Sequence, residues 1–518
     1  MITRKIFKPI FYISNIFIFY FLNFLFSQNF LPADPNYIFL NEKYQYDNKI
    51  PFISNSFRPI FFTTDSLSIN FNFLSEGYLN NNSPNQENMD LRYFSKGYGI
   101  FNSFSLALNS PLFSLMIEPY IYNEKFYDTK DINRQGTFKV LNDRKLDRNF
   151  FFKRNNKNIR NFLAFFHYKG FGFGWHDGNR WWGPGFHSTL QMTNNTTPMP
   201  SQIIGTINEI KLKNIGLYGL YTFSRLNEET GVNAIYYTAL NGQVTWYGPI
   251  YISFGFSRNY ITGGMSINNY AWTASDARKI IFEGLLTNNL LKKEYTVGGH
   301  DYWDQSISTY ITFNMPKRNL KLYMELGFND NRMYLADLIS QPDHSMATII
   351  GIRDYGIGSA KKWIWGFEWT NLMTTYSSRH RPSGSGTWYN KYNYDFNTYY
   401  GRRWGAHSGS DSDDWTIYLG YLSNKLIILP KINYERHGIV THRPAEVKFE
   451  LSLQAKYNYN DTWYGIYLEK QYEAFLGFPD YFYVDNNNNP VDSTDGKLAG
   501  TRLITTLIFS ISKSINIK

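Results

Sequence analysis

The sequence has no cysteine, and beyond residue 27 it has no long uninterrupted apolar run. The lack of cysteine excludes disulfides, thiolate metal sites and cysteine nucleophiles, and it is compatible with export through an oxidising periplasm. The lack of a long apolar run argues against a membrane-spanning helix after residue 27, because such a helix needs about 20 predominantly apolar residues. Any later segment that crosses a membrane must therefore be a β-strand.

Aromatic residues, by contrast, are abundant. They account for 19% of the 518 residues, with 42 Tyr and 43 Phe, although the mean hydropathy is only −0.41. A transmembrane β-barrel combines these two properties, because half of each strand faces lipid, half faces water, and aromatic girdles mark both interfaces. The composition therefore favours a membrane barrel over a soluble enzyme.

The N-terminus has the pattern of an export signal. Arg4, Lys5 and Lys8 precede the apolar run Pro9–Phe26, and Ser27 is a small residue suited to cleavage. This pattern predicts a secretory signal peptide over residues 1–27, with a retained anchor helix as the alternative. Its removal takes away three positive charges and lowers the formal net charge from +10 to about +7, which favours anionic partners such as lipopolysaccharide or acidic polysaccharides. An exported chain without a clustered basic motif is not expected to bind nucleic acid.

After the signal peptide, apolar and polar residues alternate with a period of two. In VKFELSLQAKY, every second residue from Val447 to Tyr457 is apolar, and the residues between them are Lys, Glu, Ser, Gln and Lys. Such a pattern indicates a strand, because a helix would scatter the apolar residues around its circumference. Similar runs begin at Ile250, Leu320, Trp363 and Leu503.

We therefore predict an all-β protein, a large transmembrane antiparallel β-barrel of about 18 strands, an even number being expected for bacterial barrels. The predicted domains are the signal peptide at 1–27, an N-terminal periplasmic or lead-in segment at 28–66, and the barrel at 67–518. Minor helical segments are expected as well, one of them amphipathic at Asp276–Lys293.

Two adjacent tryptophans stand in the segment NRWWGPGFHSTLQMTNN, which runs from Asn179 to Asn195. On an extended backbone Trp181 and Trp182 point in opposite directions. Indole rings can stack on the apolar face of a sugar, and the amides of Asn194 and Asn195 can bind sugar hydroxyls. We interpret the segment as a candidate polysaccharide-binding surface, with an interfacial aromatic girdle and a tight turn as the alternative.

A second polar segment, YYGRRWGAHSGSDSDDW, is rich in charge. Its side chains that could contact a polysaccharide are Arg402, Arg403, His407, Asp411 and Asp413. A network of ion pairs that fixes the loop inside the lumen is the alternative. Two aspartates are too few hard ligands for a calcium site, and the chain shows no convergent acid–base set. We therefore predict no metal, no cofactor and no catalytic residue.

Three motifs in this order resemble the Wzi family of outer-membrane capsule-assembly proteins. They are RWWGPG with STLQMTNN after it, ELGFND with QPDHS after it, and YYGRRWGAHSGSDSDDW, so that they span Arg180 to Trp415. The resemblance implies a large monomeric barrel whose extracellular loops fold into the lumen. It also implies a lectin that holds capsular polysaccharide at the cell surface.

From the residues and the resemblance together we expect a non-enzymatic protein in the outer membrane of a Gram-negative cell. It would retain an exported, acidic polysaccharide through many weak contacts along the polymer. Its partners would be that polysaccharide and outer-membrane lipids, including lipopolysaccharide. A porin or solute channel, which needs an open lumen, and a barrel hydrolase, which needs an acid–base set, are the alternatives.

Overall fold

A closed antiparallel barrel of 18 strands dominates the computed structural model, and the prediction of about 18 strands is confirmed. The structure describes residues 30–62, 66–129, 132, 134, 138, 140–144, 158–226, 235–263, 296–297, 300–301, 303–329, 339, 343–358, 360–373, 387–390, 397–440, 444–477, 483–487, 489, 491, 497–498 and 500–517. The predicted signal peptide and the predicted helix Asp276–Lys293 lie outside these residues.

The barrel strands are numbered here in chain order. The first nine are β1 Ser68–Asn80, β2 Gly97–Asn109, β3 Phe113–Phe126, β4 Asn158–Tyr168, β5 Phe171–Gly178, β6 Met199–Thr206 with its continuation Ile210–Leu212, β7 Ile215–Leu226, β8 Ile235–Tyr247 and β9 Tyr251–Gly263. The second nine are β10 Trp303–Met315, β11 Leu320–Asn329, β12 Met346–Ile357, β13 Trp363–Asn371, β14 Ser412–Leu422, β15 Leu426–His437, β16 Glu446–Tyr459, β17 Thr462–Ala474 and β18 Arg502–Ile517.

Each strand pairs with its neighbours along the chain, and β18 pairs with β1 from Thr506↔Asn80 to Ile517↔Ile69. This closure leaves no open sheet edge. It matters in a bilayer, because each backbone group left unpaired in hydrocarbon costs several kcal/mol. Within the described residues, no helix has the length and apolar character needed to cross a membrane.

The alternation of apolar and polar residues predicted from the sequence corresponds to the two faces of the barrel wall, with apolar residues outside and polar residues inside. On β16, Leu451 and Leu453 are 49% and 41% exposed on the outside, whereas Glu450 and Ser452 are 0% and 7% exposed inside. The outer face is thus apolar over most of its height, and the inner face carries the polar residues. This distribution is the one that hydrocarbon outside and a polar interior require.

The two ends of the barrel differ in the length of their connections. Eight turns of two to five residues join strands at one end, for example 169–170 and 460–461. Loops of eight to 40 residues, including 81–96, 179–198 and 372–411, join strands at the other end. Because outer-membrane barrels have short periplasmic turns and long extracellular loops, the first end is assigned to the periplasm.

The described part of the segment 28–66 lies inside the barrel. Helix α1, Pro35–Tyr46, is buried against the wall, where Glu42 contacts Lys321 and the hydroxyl of Tyr46 donates to Asn314. The chain then passes the periplasmic turns, where Lys49 Nζ donates to Asn424 Oδ1 at 2.8 Å. The boundaries at residues 27 and 66 stay predictions.

Candidate functional site

Extracellular loops fill the lumen above helix α1. We use the name loop core for the buried residues of 81–96, 179–198 and 397–411. The short strand Phe57–Arg58 of the N-terminal segment pairs with Trp181–Trp182, so the loop core and the N-terminal segment are joined by backbone hydrogen bonds. The prediction from the family resemblance that loops fold into the lumen agrees with this packing.

The two tryptophans lie on opposite sides of the loop core. Trp181 packs against Ala33 and Ile38 of the N-terminal segment, and its indole Nε1 donates to the carbonyl oxygen of Gly185 at 2.9 Å. Trp182 belongs to a larger apolar cluster and lies near Tyr237, with ring centroids 6.5 Å apart. The opposite orientation is as expected for an extended pair, but both rings are at most 2% exposed. The interfacial girdle that we considered as an alternative is therefore wrong.

Two wall carboxylates hold the WWGPG turn in place. Glu368 on β13 accepts hydrogen bonds from the backbone N–H groups of Phe186 at 2.8 Å, His187 at 3.3 Å and Ser188 at 2.7 Å. Glu325 on β11 accepts one from Leu190 at 3.4 Å. The turn therefore has a fixed position relative to the wall, because its buried donors are satisfied by carboxyl oxygens of the wall.

The glycines of this turn are required by its close packing. A Cβ atom at Gly185 would lie 1.9 Å from the carbonyl oxygen of Ser188. Gly183 has a φ of +149°, which residues with a side chain rarely adopt, and a Cβ there would lie 2.9 Å from Thr189. The sequence WWGPG is thus explained by internal packing, before any ligand is considered.

The paired asparagines connect separate loops. The side-chain amide of Asn194 donates to the backbone oxygen of Asn88 at 3.0 Å. Asn195 exchanges two amide hydrogen bonds with Asn142, at 2.8 and 3.0 Å, and also donates to the backbone oxygen of Arg403 at 3.1 Å. Both asparagines are at most 1% exposed. Their amides, which we expected to bind sugar hydroxyls, bind neighbouring loops.

The two arginines predicted to contact ligand are also buried. Arg402 lies over the ring of Tyr93, 4.6 Å from its centroid, and donates to the backbone oxygen of Pro84 at 3.3 Å. Arg403 lies over the ring of Tyr389 at 4.7 Å and donates to the backbone oxygen of Val140 at 2.6 Å. Each guanidinium therefore fixes one loop to another through a cation–π contact and a backbone acceptor.

The two aspartates predicted to contact ligand, Asp411 and Asp413, bind other partners than His407. Asp411 accepts hydrogen bonds from the backbone N–H of Val440 at 3.0 and 3.2 Å. Asp413 forms a two-pronged ion pair with Arg436 close to the rim. Asp413 shares the outward face of β14 with Trp415, whose indole Nε1 donates to Asp413 Oδ2 at 3.1 Å, so this pair lies on the outer side of the wall and is not one of the luminal ion pairs that we considered as the alternative. Polysaccharide binding by the nine predicted residues stays a prediction.

His407 instead faces the next aspartate along the chain. Its Nε2 lies 3.2 Å from Oδ2 of Asp414 and 3.6 Å from Oε1 of Glu435, and its ring centroid lies 4.6 Å from that of His187. Burial lowers the pKa of His407, but the contacts with Asp414 and Glu435 and the charge of Glu87 outweigh it and raise this pKa to about 10. The imidazole ring of His407 is therefore protonated and positively charged at neutral pH.

A charged cavity adjoins this histidine at the extracellular end. The cavity is small, with a volume of about 10 Å³, and Arg134 on its wall contacts Asp143 at 2.7 Å and Glu446 at 3.0 Å. Burial raises the pKa of Asp143, but Arg134 and Arg502 outweigh burial and hold it well below its usual range. The charges of the cavity are thus paired with one another, as expected for buried ionised groups.

Sequence reasoning missed the residues that position the loops. Glu368 and Glu325 lie on polar faces of predicted strands, and Asn88 and Asn142 lie in loops that carried no motif. A charged residue at an inward position of a barrel strand was the available signal, since it needs a partner in the lumen. The partner itself could not be named from sequence, because 182 positions separate Glu368 from Phe186.

The family described as capsule assembly protein Wzi matches residues 92–475 of this chain. Among solved structures, the chain is similar to Wzi of Escherichia coli, described as a carbohydrate-binding β-barrel of the outer membrane involved in group 1 capsule assembly. The identity is 12%, the similarity covers 85% of this chain and 83% of that chain, and the TM-score is 0.52. The chain is also similar to OpdO of Pseudomonas aeruginosa, with 8% identity, coverage of 88% and 99%, and a TM-score of 0.42. No curated protein sequence matches the chain.

Proposed function

This chain belongs to the capsule assembly protein Wzi family, and from that membership we propose that it holds exported capsular polysaccharide at the cell surface. We propose further that it does so as a lectin without enzymatic activity. The carbohydrate-binding barrel of Escherichia coli, which shares the fold, supports this assignment. The protein is located in the outer membrane.

The observation that carries the proposal is the filled lumen. Loop residues from the extracellular end, including Trp181, Asn195 and Arg403, are at most 2% exposed, and the N-terminal segment packs beneath them. A solute channel would need a continuous water-filled path, whereas a loop core joined by hydrogen bonds gives a rigid outer surface. Such a surface suits a long polymer, because many weak contacts with successive repeats add up to strong retention.

In this proposal, the nine residues named from the sequence hold the loops that form the outer surface. None of them exposes more than 3% of its area, so a polymer on the outside would meet the loops that they hold. The formal net charge, +10 for the full chain and about +7 without residues 1–27, supports an acidic polysaccharide as the preferred polymer. We propose in addition that the barrel is a monomer surrounded by lipids, lipopolysaccharide among them.

Deletion and replacement of the gene in its own host tests the function. We expect loss of the chain to move polysaccharide from the cell-bound fraction to the culture medium, and the wild-type gene to restore it. Purified barrel should also retain the host polysaccharide on an affinity support. An unchanged cell-bound fraction together with porin-like conductance in planar bilayers would contradict the proposal.

Point variants separate the loop core from the barrel wall. Trp181→Ala and Arg403→Ala should release polysaccharide while the barrel keeps its heat-modifiable mobility on gels, because they loosen loops without altering strand pairing. Trp246→Ala is the matched control, since Trp246 is 48% exposed on the outer face near the periplasmic end and should leave retention unchanged. Equal retention by all three variants would remove the loop core from the mechanism.

A further inference from the structure

Two histidines and three carboxylates from separate parts of the chain converge inside the barrel. One ring nitrogen each of His187 and His407 and one carboxylate oxygen each of Glu87 and Glu435 all lie within 4.8 Å of one another. Oδ2 of Asp414 lies 3.1 Å from His187 Nε2 and 3.2 Å from His407 Nε2. All five residues are at most 8% exposed. Imidazole and carboxylate are the donor groups that bind divalent transition metals.

The atoms that converge here are not satisfied by hydrogen bonds. Among the described residues, His187 Nε2, His407 Nε2 and Asp414 Oδ2 have no hydrogen bond of acceptable geometry, although they are within ion-pair distance of one another. A buried polar atom in this state is unfavourable, because it has lost its contacts with water without gaining a partner. A cation between the three atoms would accept electron pairs from all of them and remove that cost.

The spacing fits a tetrahedral ion. Ligand atoms about 2.0–2.1 Å from a tetrahedral zinc ion are separated from each other by about 3.3 Å. The two contacts of Asp414 with the histidines are 3.1 and 3.2 Å, and His407 Nε2 lies 3.6 Å from Glu435 Oε1. These three ligand–ligand distances lie within about 0.3 Å of the tetrahedral value.

The charge of the surroundings also favours a cation. Lys448 Nζ lies between three carboxylates, at 2.9 Å from Glu435 and 2.8 Å from Glu450 and in direct contact with Glu87. Asp414 has no lysine or arginine partner among the described ion pairs. With neutral histidines, the four carboxylates of this cluster, Glu87, Asp414, Glu435 and Glu450, outnumber Lys448 and Lys431, so the cluster needs either protons on its histidines or a cation.

We propose that His187, His407, Asp414 and Glu435 bind a divalent transition metal ion, with zinc as the best match. The four ligands come from the WWGPG turn, the 372–411 loop and the adjacent strands β14 and β15. A bound ion would therefore fasten the loop core to the barrel wall. Because all four ligands are at most 5% exposed, the site is structural rather than catalytic. It uses neither Asp411 nor Asp413, the two aspartates considered from the sequence.

Metal analysis of the full mature barrel tests the proposal. The protein is purified in detergent without a histidine tag or chelator, and its zinc content is measured by mass spectrometry. We expect about one zinc ion per chain. Chelator treatment should lower the Tm, and zinc chloride should restore it, because an ion that binds only the folded state stabilises it. Absence of both stoichiometric zinc and the Tm response would overturn the proposal and leave a buried imidazolium–carboxylate network.

Variants locate the ion. His187→Gln and His407→Gln should each reduce zinc affinity about tenfold or more, and should abolish the Tm response. His167→Gln is the matched control, because His167 is also buried but contacts Ser114 at 2.9 Å. Should the histidine variants fail to fold, Asp414→Asn, which keeps the side-chain size, gives the same test. Full zinc retention by a folded ligand variant would overturn the site.

Discussion

The barrel wall and the loop core are stabilised by different kinds of contact. In the wall, Leu451 is 49% exposed to the outside while its chain neighbour Glu450 is fully buried inside, and each strand pairs with strands next to it in sequence. In the loop core, the contacts are directional and join distant residues, such as Glu368 and Ser188, which are 180 positions apart. The wall therefore tolerates local change, because lipid solvates any apolar side chain. The loop core should not, because each lost acceptor leaves buried donors unsatisfied.

The largest effect is expected for Glu368→Ala. This variant removes the acceptor of three backbone N–H groups of the WWGPG turn and of the hydroxyl of Tyr323. Since each unsatisfied buried donor costs about 1–3 kcal/mol, we expect the free energy of unfolding to fall by about 3–5 kcal/mol. Denaturant unfolding of the barrel in lipid vesicles measures it. A loss below about 1 kcal/mol would mean that the loop core is no more sensitive than the wall.

A smaller, pH-dependent effect is expected for Glu42 on helix α1. Burial raises the pKa of Glu42, but Arg353 at 3.3 Å and Lys321 at 2.8 Å outweigh it and lower this pKa from 4.5 to about 2. A depressed folded-state pKa stabilises the fold above pH 4.5, and the contribution disappears as the pH falls from 4.5 towards 2. Above pH 4.5 the ionised Glu42 contributes about 3 kcal/mol to the free energy of unfolding.

Comparison with Glu42→Gln isolates this contribution from other acid-sensitive groups. The wild type should be more stable than the variant at pH 6, and the difference should shrink to near zero at about pH 2. Unfolding of both proteins is followed at several pH values in the same detergent. A difference that does not change with pH would show that the charge of Glu42 does not hold the helix in the lumen.

The smallest effect is expected for Leu451→Ala on the outer face of the wall. The side chain exchanges contacts with lipid tails, which are as apolar as leucine itself, so no packed cavity is created. We expect a loss of less than about 1 kcal/mol of unfolding free energy. A loss as large as that of Glu368→Ala would remove the distinction between wall and loop core.

The residues around His407 show a contact that could not be predicted from the sequence. The segment SDSDDW contains three aspartates, and Asp411 and Asp413 were taken as the polar candidates. The structure directs Asp413 towards Arg436 and Asp414 towards His407. Successive residues of a strand face opposite sides, so the choice between them depends on the register of β14 with β13 and β15. That register is set by the whole sheet.

The WWGPG motif shows a second limit of prediction from the sequence. Its distinctive composition was visible in the sequence, and the stacking of tryptophan on sugar offered a plausible purpose for it. The structure gives these residues internal partners, because Trp181 packs on Ile38 and Asn195 binds Asn142. Both partners lie in segments without a motif, more than 50 positions away. A conspicuous motif therefore marked an important position without revealing its contacts.

The sequence by itself determined the barrel. A period of two, abundant aromatic residues and the absence of long apolar runs suffice, because each strand responds locally to two solvents, lipid outside and a polar interior. Only the tertiary structure decided what the interior contains. Hydrogen bonds and ion pairs there act over a few ångströms between residues that are far apart in the chain, so which carboxylate meets which histidine depends on the folded arrangement of all the loops.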